Sequence, residues 1–361
     1  MANMNIRTPV FYPDRIRYQK ARGSTAFSIV SGSGLLGFQS GTIGSLHNGK
    51  PLDLCSFDTS ANVSDHILFN YDMGTSQWKT TFITILNHNL ATAVGKIRIF
   101  FGSTSDAVDD VNGGSSATSL SSTTPTTVLN CSTPTKSSSN KSIHVAPSVD
   151  GTTIIKIENN DGTDFTGYRY VGIQFEGNTN PTSDTGGGFN FNSSTDLTIG
   201  GIEIGEIYTM PVAPDLNVKR SIIYDKTTIQ ESLGGQKYAT TSSTGRTASS
   251  TSKSPFITTN YQHYVLGGRL AYEMSFSYLQ STDVMPNEYV STQFADDSFV
   301  GDVWSITDGN FHPFVFSIDS TSTGSSAESE FIYARFAQNS LVMDQVAPDV
   351  FNIKLKIEEE F

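Results

Sequence analysis

The sequence predicts an all-β protein, and this expectation rests on three observations. Charged residues make up only 16% of the chain, below the roughly 25% of an average soluble domain, so Ser, Thr, Asn and Gly supply most of the polar surface. Ser and Asn compete with a helix for backbone hydrogen bonds, and Gly loses more entropy on folding than other residues do. Residues 351–357 alternate apolar and polar side chains, which is the period of a half-buried strand.

Two β-sandwich or jelly-roll-like domains with an extended N-terminal arm are the predicted architecture. The first segment places turn-forming Gly and Pro around Phe11, Tyr12 and Tyr18, and we expect an arm that exposes these aromatic rings. The two prolines within 210–214 stop a strand and stiffen a connector. The predicted divisions are an arm at 1–45, a β-sandwich at 46–209 and a C-terminal β domain at 210–361.

Alternating patterns predict the strands of the first domain, which are 81–86, 95–101, 152–157, 168–175 and a long strand at 197–208, bulged at its glycines. The polar stretch 103–142 is too long for a simple connection. We expect it to be an elaborated loop with one or two short strands, of which 126–129 is one candidate.

The C-terminal domain shows the same kind of pattern. We expect 221–224 and 226–231 to pair as a hairpin, and 283–305 to offer the one possible helix. The remaining predicted strands are 269–278, 313–318, 330–336 and the terminal strand.

Charge and cysteine content exclude several classes of protein. The formal net charge is −12, whereas a nucleic-acid-binding domain carries a basic stripe. The richest basic stretch, 15–22, is interpreted as a solvated arm. No stretch approaches the roughly 20 apolar residues of a membrane span, and the N-terminus lacks an apolar signal core. Cys55 and Cys131 lack CxxC spacing and are expected to be free thiols, with a disulfide as the alternative.

No catalytic, cofactor-binding or metal-binding residues are predicted, and the chain is not expected to be an enzyme. His88 lies between two asparagines and is expected to hydrogen-bond a turn backbone. The segment 158–164 gathers carboxylates and amides around a glycine, as a calcium loop does. Asp-Gly is also a strong hairpin dipeptide, so a hairpin turn is favoured. The adjacent pairs 109–110 and 296–297 point to opposite faces of a strand, which argues against shared metal binding.

Two groups of residues carry a resemblance to a known family. The segments 72–74, 78–90 and 97–99 are similar to the early strands of discoidin-like, galactose-binding-type β-sandwiches in tailed-bacteriophage virion proteins, where an N-H-N-L-like turn is followed by an I-x-I strand. The segments 168–175 and 202–208 resemble the closing strands of that sandwich. The segment 231–236 and the terminal strand look like the second half of phage tail and baseplate components.

This resemblance implies a structural protein of the virion, made in the host cytoplasm. The expected function is that of a tail, baseplate or tail-tip subunit that acts through oligomeric assembly, with the arm and the terminal strand as contact elements. The expected partners are further copies of the chain and other virion proteins, without nucleic acid or membrane.

Three alternatives remain open. The first is a capsid decoration or head-fibre protein. The second is a carbohydrate-binding receptor protein that recognises a host surface glycan, with Tyr71, Trp78, Tyr168 or Trp304 as stacking platforms for sugar rings. Core packing is the favoured role of these aromatic residues. The third is a glycan hydrolase, for which the sequence nominates no pair of carboxylates.

Overall fold

Strands dominate the computed structural model, with 44% of residues in strands and 9% in helices. The structure describes residues 6–23, 26–74, 79, 81–109, 111, 116–165, 168–178, 189–223, 227–241, 269–286, 297–324, 327 and 330–360. The strands form several antiparallel sheets. The predicted all-β class is therefore confirmed.

The strands are β1 (Val10–Pro13), β2 (Ala26–Ile29), β3 (Cys55–Phe57), β4 (Ile67–Asp72), β5 (Phe82–His88), β6 (Gly95–Gly102), β7 (Thr123–Leu129), β8 (Thr135–Lys136), β9 (Ile143–Val145), β10 (Gly151–Asn159), β11 (Tyr170–Gly177), β12 (Leu197–Ile199), β13 (Gly201–Gly205), β14 (Tyr208–Thr209), β15 (Lys219–Ile223), β16 (Thr227–Glu231), β17 (Lys237–Thr241), β18 (Arg269–Gln280), β19 (Phe314–Ser317), β20 (Phe331–Phe336), β21 (Met343–Ala347) and β22 (Val350–Glu359). The helices are α1 (Arg15–Ala21), α2 (Asp106–Asp109), α3 (Ser281–Val284), a 3₁₀ helix (Ser45–His47) and a π-helix (Val300–Trp304).

Two of the sheets form a sandwich. A six-stranded sheet, ordered β2-β4-β11-β6-β9-β8, and a four-stranded sheet, ordered β13-β5-β10-β7, enclose one apolar core. The alternation in β5 explains why this sheet has two buried faces. Ile83 and Ile85 enter the sandwich core, while Phe82 and Leu86 enter a second core on the other side.

The second core joins the four-stranded sheet to an eight-stranded sheet. That sheet has the order β14-β1-β19-β20-β22-β18-β15, with β21 paired to β22. Tyr12 of β1 meets Phe82 of β5 edge to face, with ring centroids 5.3 Å apart. Three sheets are thus stacked. In the eight-stranded sheet, β1 and β14 precede residue 210 in the chain, whereas the other strands follow it. The predicted domain boundary at 209/210 stays a prediction.

The N-terminal segment is built into this stack. β1 pairs with β14 on one edge and with β19 on the other. Phe11 is fully buried and lies 5.6 Å from Phe299 and 5.1 Å from Phe316, measured between ring centroids. The expectation that Phe11 and Tyr12 are exposed on an arm is wrong, because their strand is an interior member of a sheet with apolar cores on both faces.

The segment 197–208 forms three strands in three different sheets, not one bulged strand. β12 pairs with β3, β13 pairs with β5, and β14 pairs with β1. Two glycines allow the close approaches that this path requires. A Cβ atom at Gly200 would lie 2.0 Å from the carbonyl oxygen of Pro51, and one at Gly205 would lie 2.2 Å from that of Pro13.

The prediction that 221–224 and 226–231 pair with each other as a hairpin is wrong. β15 pairs with β18, and β16 pairs with β17. The β16–β17 turn contains Gly235 at φ +79°, a conformation that glycine adopts without strain.

The terminal strand is confirmed, but not as a strand that extends the sheet of a neighbour. β22 pairs with β18 along one edge and with β20 and β21 along the other. Both edges are therefore occupied within the chain, and β22 cannot extend the sheet of a neighbour.

Among the other expectations on local structure, the one for the polar stretch 103–142 is confirmed. The polar stretch 103–142 contains the short strands β7 and β8, and β7 includes the candidate at 126–129. The possible helix at 283–305 matches the end of α3 and the π-helix, while its residues 287–296 lie outside the described part of the chain.

Candidate functional site

Helix α1 carries two arginines into the junction between the stacked sheets. The Asp14 carboxylate starts the helix by accepting a hydrogen bond from the Ile16 N–H at 3.0 Å, as an N-cap residue does. Arg15 and Arg17 then lie 1% and 5% exposed. The interpretation of 15–22 as a solvated arm is wrong for these two residues, because both guanidinium groups are buried against carboxylates.

Arg15 binds a carboxylate on each side of the junction. Its Nη2 lies 2.5 Å from Glu206 Oε2, next to β13, and 3.0 Å from Asp302 Oδ1 in the π-helix. Asp302 also accepts a hydrogen bond from the Ser298 N–H at 2.9 Å. Burial raises the pKa of Glu206, and burial raises the pKa of Asp302 to about 7 despite the nearby Arg15.

Arg17 makes a second buried cluster. Its Nη2 lies 2.6 Å from Glu203 Oε1 on β13, and its Nε lies 3.2 Å from Asp14 Oδ2. The Tyr333 hydroxyl of β20 donates a hydrogen bond to Glu203 Oε1 at 3.1 Å. Burial raises the pKa of Glu203 to about 8, with the neighbouring Asp14 carboxylate adding to the effect and Arg17 opposing it.

Lys79 occupies the outer end of the Arg15 cluster. Its Nζ lies 2.9 Å from Asp164 Oδ2, 3.3 Å from Glu206 Oε1 and 3.5 Å from Asp297 Oδ1. Burial alone would lower the pKa of Lys79, but Glu206 and Asp164 outweigh it and raise that pKa. The ammonium group therefore stays protonated.

The three carboxylates around Lys79 have ligand atoms close enough together to hold a metal ion. Carboxylate oxygens are the ligands that Ca²⁺ and Mg²⁺ prefer. The Lys79 ammonium, however, already supplies positive charge to all three carboxylates. This arrangement is fully accounted for by ion pairing, and we assign no metal to it.

The segment 158–164, whose composition resembles that of a calcium loop, forms a turn. Asp161 Oδ1 accepts hydrogen bonds from the backbone and the hydroxyl of Thr163, and Gly162 has φ +82°. Asp164 points away to Lys79, so the oxygens of the segment do not converge on one point. The segment thus forms the favoured hairpin turn, with Glu158 bridged to Asp164 in antiparallel register.

The other residues singled out by sequence are scattered. His88 accepts a hydrogen bond from the Leu90 N–H at Nδ1, 3.2 Å away, as expected for a turn histidine. Cys55 and Cys131 are free thiols. Tyr71 and Tyr168 are fully buried in the sandwich core, which rules them out as exposed sugar platforms in this structure.

Trp304 is half-buried and packs on Phe336, with ring centroids 5.0 Å apart. Trp78, Asp110 and Asp296 lie outside the described residues. Sequence reasoning missed the carboxylates of the junction. The sequence feature that could have indicated them is the presence of two acidic residues, Glu203 and Glu206, within an otherwise apolar strand pattern.

The junction groups can hold sheets together and take up protons. Four buried carboxyl groups, Asp14, Glu203, Glu206 and Asp302, face two buried guanidiniums and the Lys79 ammonium. If all were ionised, these seven groups would carry one net negative charge, and raised carboxyl pKa values are the expected response to burial of such an excess. The contacts tie α1, β13, β20 and the π-helix to one another.

Comparison with known proteins adds no assignment: no protein-family model, curated protein or solved structure matches this chain. Among the described residues, no helix combines the length and apolar character needed to cross a membrane.

Proposed function

We propose that the protein is a structural subunit of a tailed-phage particle, in the tail, baseplate or tail tip, and that it acts through oligomeric assembly. The observation that carries the proposal is the use made of its buried charges. Arg15 and Arg17 donate hydrogen bonds to Glu203 on β13, to Glu206 next to that strand and to Asp302 in the π-helix. Such a network fixes the relative positions of sheets. The sequence resemblance to virion proteins supports the proposal that the assembly is a tailed-phage particle.

Assembly requires surfaces other than those expected from sequence. β1 is an interior strand, and β22 is paired on both edges. Deletion of residues 1–22 would therefore remove an internal strand and both buried arginines. Such a truncation tests folding and is unsuitable as a test of assembly.

The virion assignment is tested on purified particles of a tailed phage whose genome encodes the chain. We expect peptides of the chain in the particles, and antibodies against it to label the tail end in electron micrographs, with preimmune serum as the control. Absence of the chain from the particles would overturn the proposal. Labelling of the head would replace it with the capsid decoration alternative.

A further inference from the structure

The hairpin formed by β16 and β17 is paired to none of the other described strands. Its strands pair with each other, from Thr227↔Thr241 to Glu231↔Lys237, and form a separate two-stranded sheet among the described strands. The turn is closed by the Ser232 N–H, which donates to the Gln236 carbonyl at 2.9 Å. A two-stranded hairpin without further packing is marginally stable in water.

Large apolar side chains of this hairpin lie in solvent. Ile229 is 65% exposed, Tyr238 is 53% exposed and the turn residue Leu233 is fully exposed. By contrast, Ile353, Leu355 and Ile357 of β22 are each no more than 1% exposed. With no further strand paired to it among the described strands, the hairpin leaves these apolar groups available for contact with another molecule.

The strand register gives one face of the hairpin a self-complementary pattern. Ile229 is opposite Ala239, and Glu231 is opposite Lys237. Side chains two residues apart on a strand share a face, so these four residues lie on one face, which we call the Ile229 face. Tyr238, opposite Gln230, belongs to the other face.

A second copy fits this face about a two-fold axis that runs along the hairpin. That rotation exchanges the two strands across the contact, so Glu231 meets the Lys237 of the other copy and Ile229 meets its Ala239. Each large residue then faces a small one, and each charge faces its opposite. Self-complementarity of this kind is what a two-fold interface requires.

We propose that the Ile229 face is a self-association surface that binds the same face of a second copy of this chain. This inference rests on the proposed function, since it names a contact of the oligomer proposed there. Strand spacing gives the face an area of roughly 160 Å², well below the about 800 Å² per partner of a standard interface. The contact is therefore one of several in an assembly, and on its own it is weak.

The test is sedimentation velocity over a concentration series of the full chain. We expect concentration-dependent association of the unmodified protein. Ile229→Ser is expected to raise the apparent dissociation constant at least tenfold. Tyr238→Ser, a comparably exposed residue on the opposite face, is the matched control and is expected to leave it unchanged. Thermal unfolding of each variant verifies that the fold is retained.

Charge variants test the two-fold geometry without depending on the hairpin's apolar residues. Glu231→Lys and Lys237→Glu each place like charges on the Ile229 face, and each variant alone is expected to associate at least tenfold more weakly. An equimolar mixture of the two is expected to recover association, because each copy then faces its opposite charge.

Failure of the hairpin contact and failure of the proposed homo-oligomer give different results in these experiments. If the unmodified chain associates and the variants associate equally well, or the mixture recovers nothing, the hairpin contact is overturned while the oligomeric subunit stands. If the unmodified chain stays monomeric throughout, both the contact and the proposed homo-oligomer are overturned.

Discussion

Replacement of Arg17 by methionine probes the buried junction most directly. Arg17→Met keeps an unbranched side chain of similar length but removes the guanidinium. The change deletes the contact with Glu203 at 2.6 Å and the contact with Asp14 at 3.2 Å. It also deletes the longer hydrogen bond to the Pro313 carbonyl at 3.4 Å. Two buried carboxyl groups then face each other without their shared cation.

The magnitude follows from the burial of these groups. Loss of one partner from a buried ion pair costs about 3–5 kcal/mol, because the remaining charge is left without compensation. Burial raises the pKa of Glu203 to about 8, so this carboxyl is already largely protonated at pH 7, which lessens the penalty. We therefore expect the free energy of unfolding to fall by about 3 kcal/mol at pH 7, at the lower end of that range.

Arg22 supplies the matched control close by in the chain. Its pair with Asp308, at 3.1 Å, is 44% and 39% exposed, and exposed pairs contribute about 0–1 kcal/mol. Urea unfolding followed by circular dichroism compares Arg17→Met with Arg22→Met at pH 7. The reasoning fails if Arg17→Met loses no more stability than Arg22→Met.

A double variant tests whether the cost arises from the orphaned carboxyl. Replacement of a whole buried ion pair by apolar residues of similar size is often close to neutral. Arg17→Met combined with Glu203→Met is therefore expected to recover stability relative to Arg17→Met alone. A double variant that is as unstable as the sum of the two single variants would contradict this explanation.

Three further predictions concern stability. Near neutral pH, Glu203 and Asp302 hold protons in the folded protein that they have released in the unfolded chain. The free energy of unfolding should therefore fall by about 2 kcal/mol from pH 6.5 to 8.5. Glu203→Gln should flatten this slope in urea titrations, and an unchanged slope would count against the raised pKa of Glu203. Phe11→Ala should cost about 3–5 kcal/mol by the same assay, whereas a loss below 1 kcal/mol would mean that β1 is not internal. Because both thiols, Cys55 included, are free, dithiothreitol should not shift the melting temperature, and a downward shift would indicate a disulfide.

The pH window in the first of these predictions is set by the histidines. Burial lowers the pKa of His47 and His88 to about 3. Below pH 6.5 the unfolded chain therefore binds histidine protons that the folded chain does not, which opposes the effect of the carboxyl groups there. Above pH 6.5 these histidines progressively lose their protons in the unfolded chain as well, and the raised carboxyl pKa values determine the sign. Stability is thus expected to decline as pH increases through 7 and 8.

The local sequence pattern was sufficient to predict those strands that are half-buried or buried in the ordinary way. β5, β6, β10 and β22 alternate or cluster apolar residues as half-buried or buried strands do, and each is found close to its predicted position. The pattern does not specify partners. Hence the alternation predicts β22 as a strand but does not predict that both of its edges are paired.

Long-range contacts explain what sequence could not predict. β1 is buried because it pairs with β19, about 300 residues further along the chain. The local pattern predicts a solvated Arg15 because its partners, Glu206 and Asp302, lie 191 and 287 residues further along the chain. The 197–208 segment has an uninterrupted strand pattern, yet close backbone approaches at two glycines direct it through three sheets.

The native mass of the full-length protein tests the central claim most directly. Native mass spectrometry over a series of concentrations is expected to show a closed oligomer, with a mass that is a whole multiple of the single chain. A single-chain mass at every concentration would contradict an account in which the protein acts through self-assembly. In that case, a glycan-array screen would test the receptor alternative.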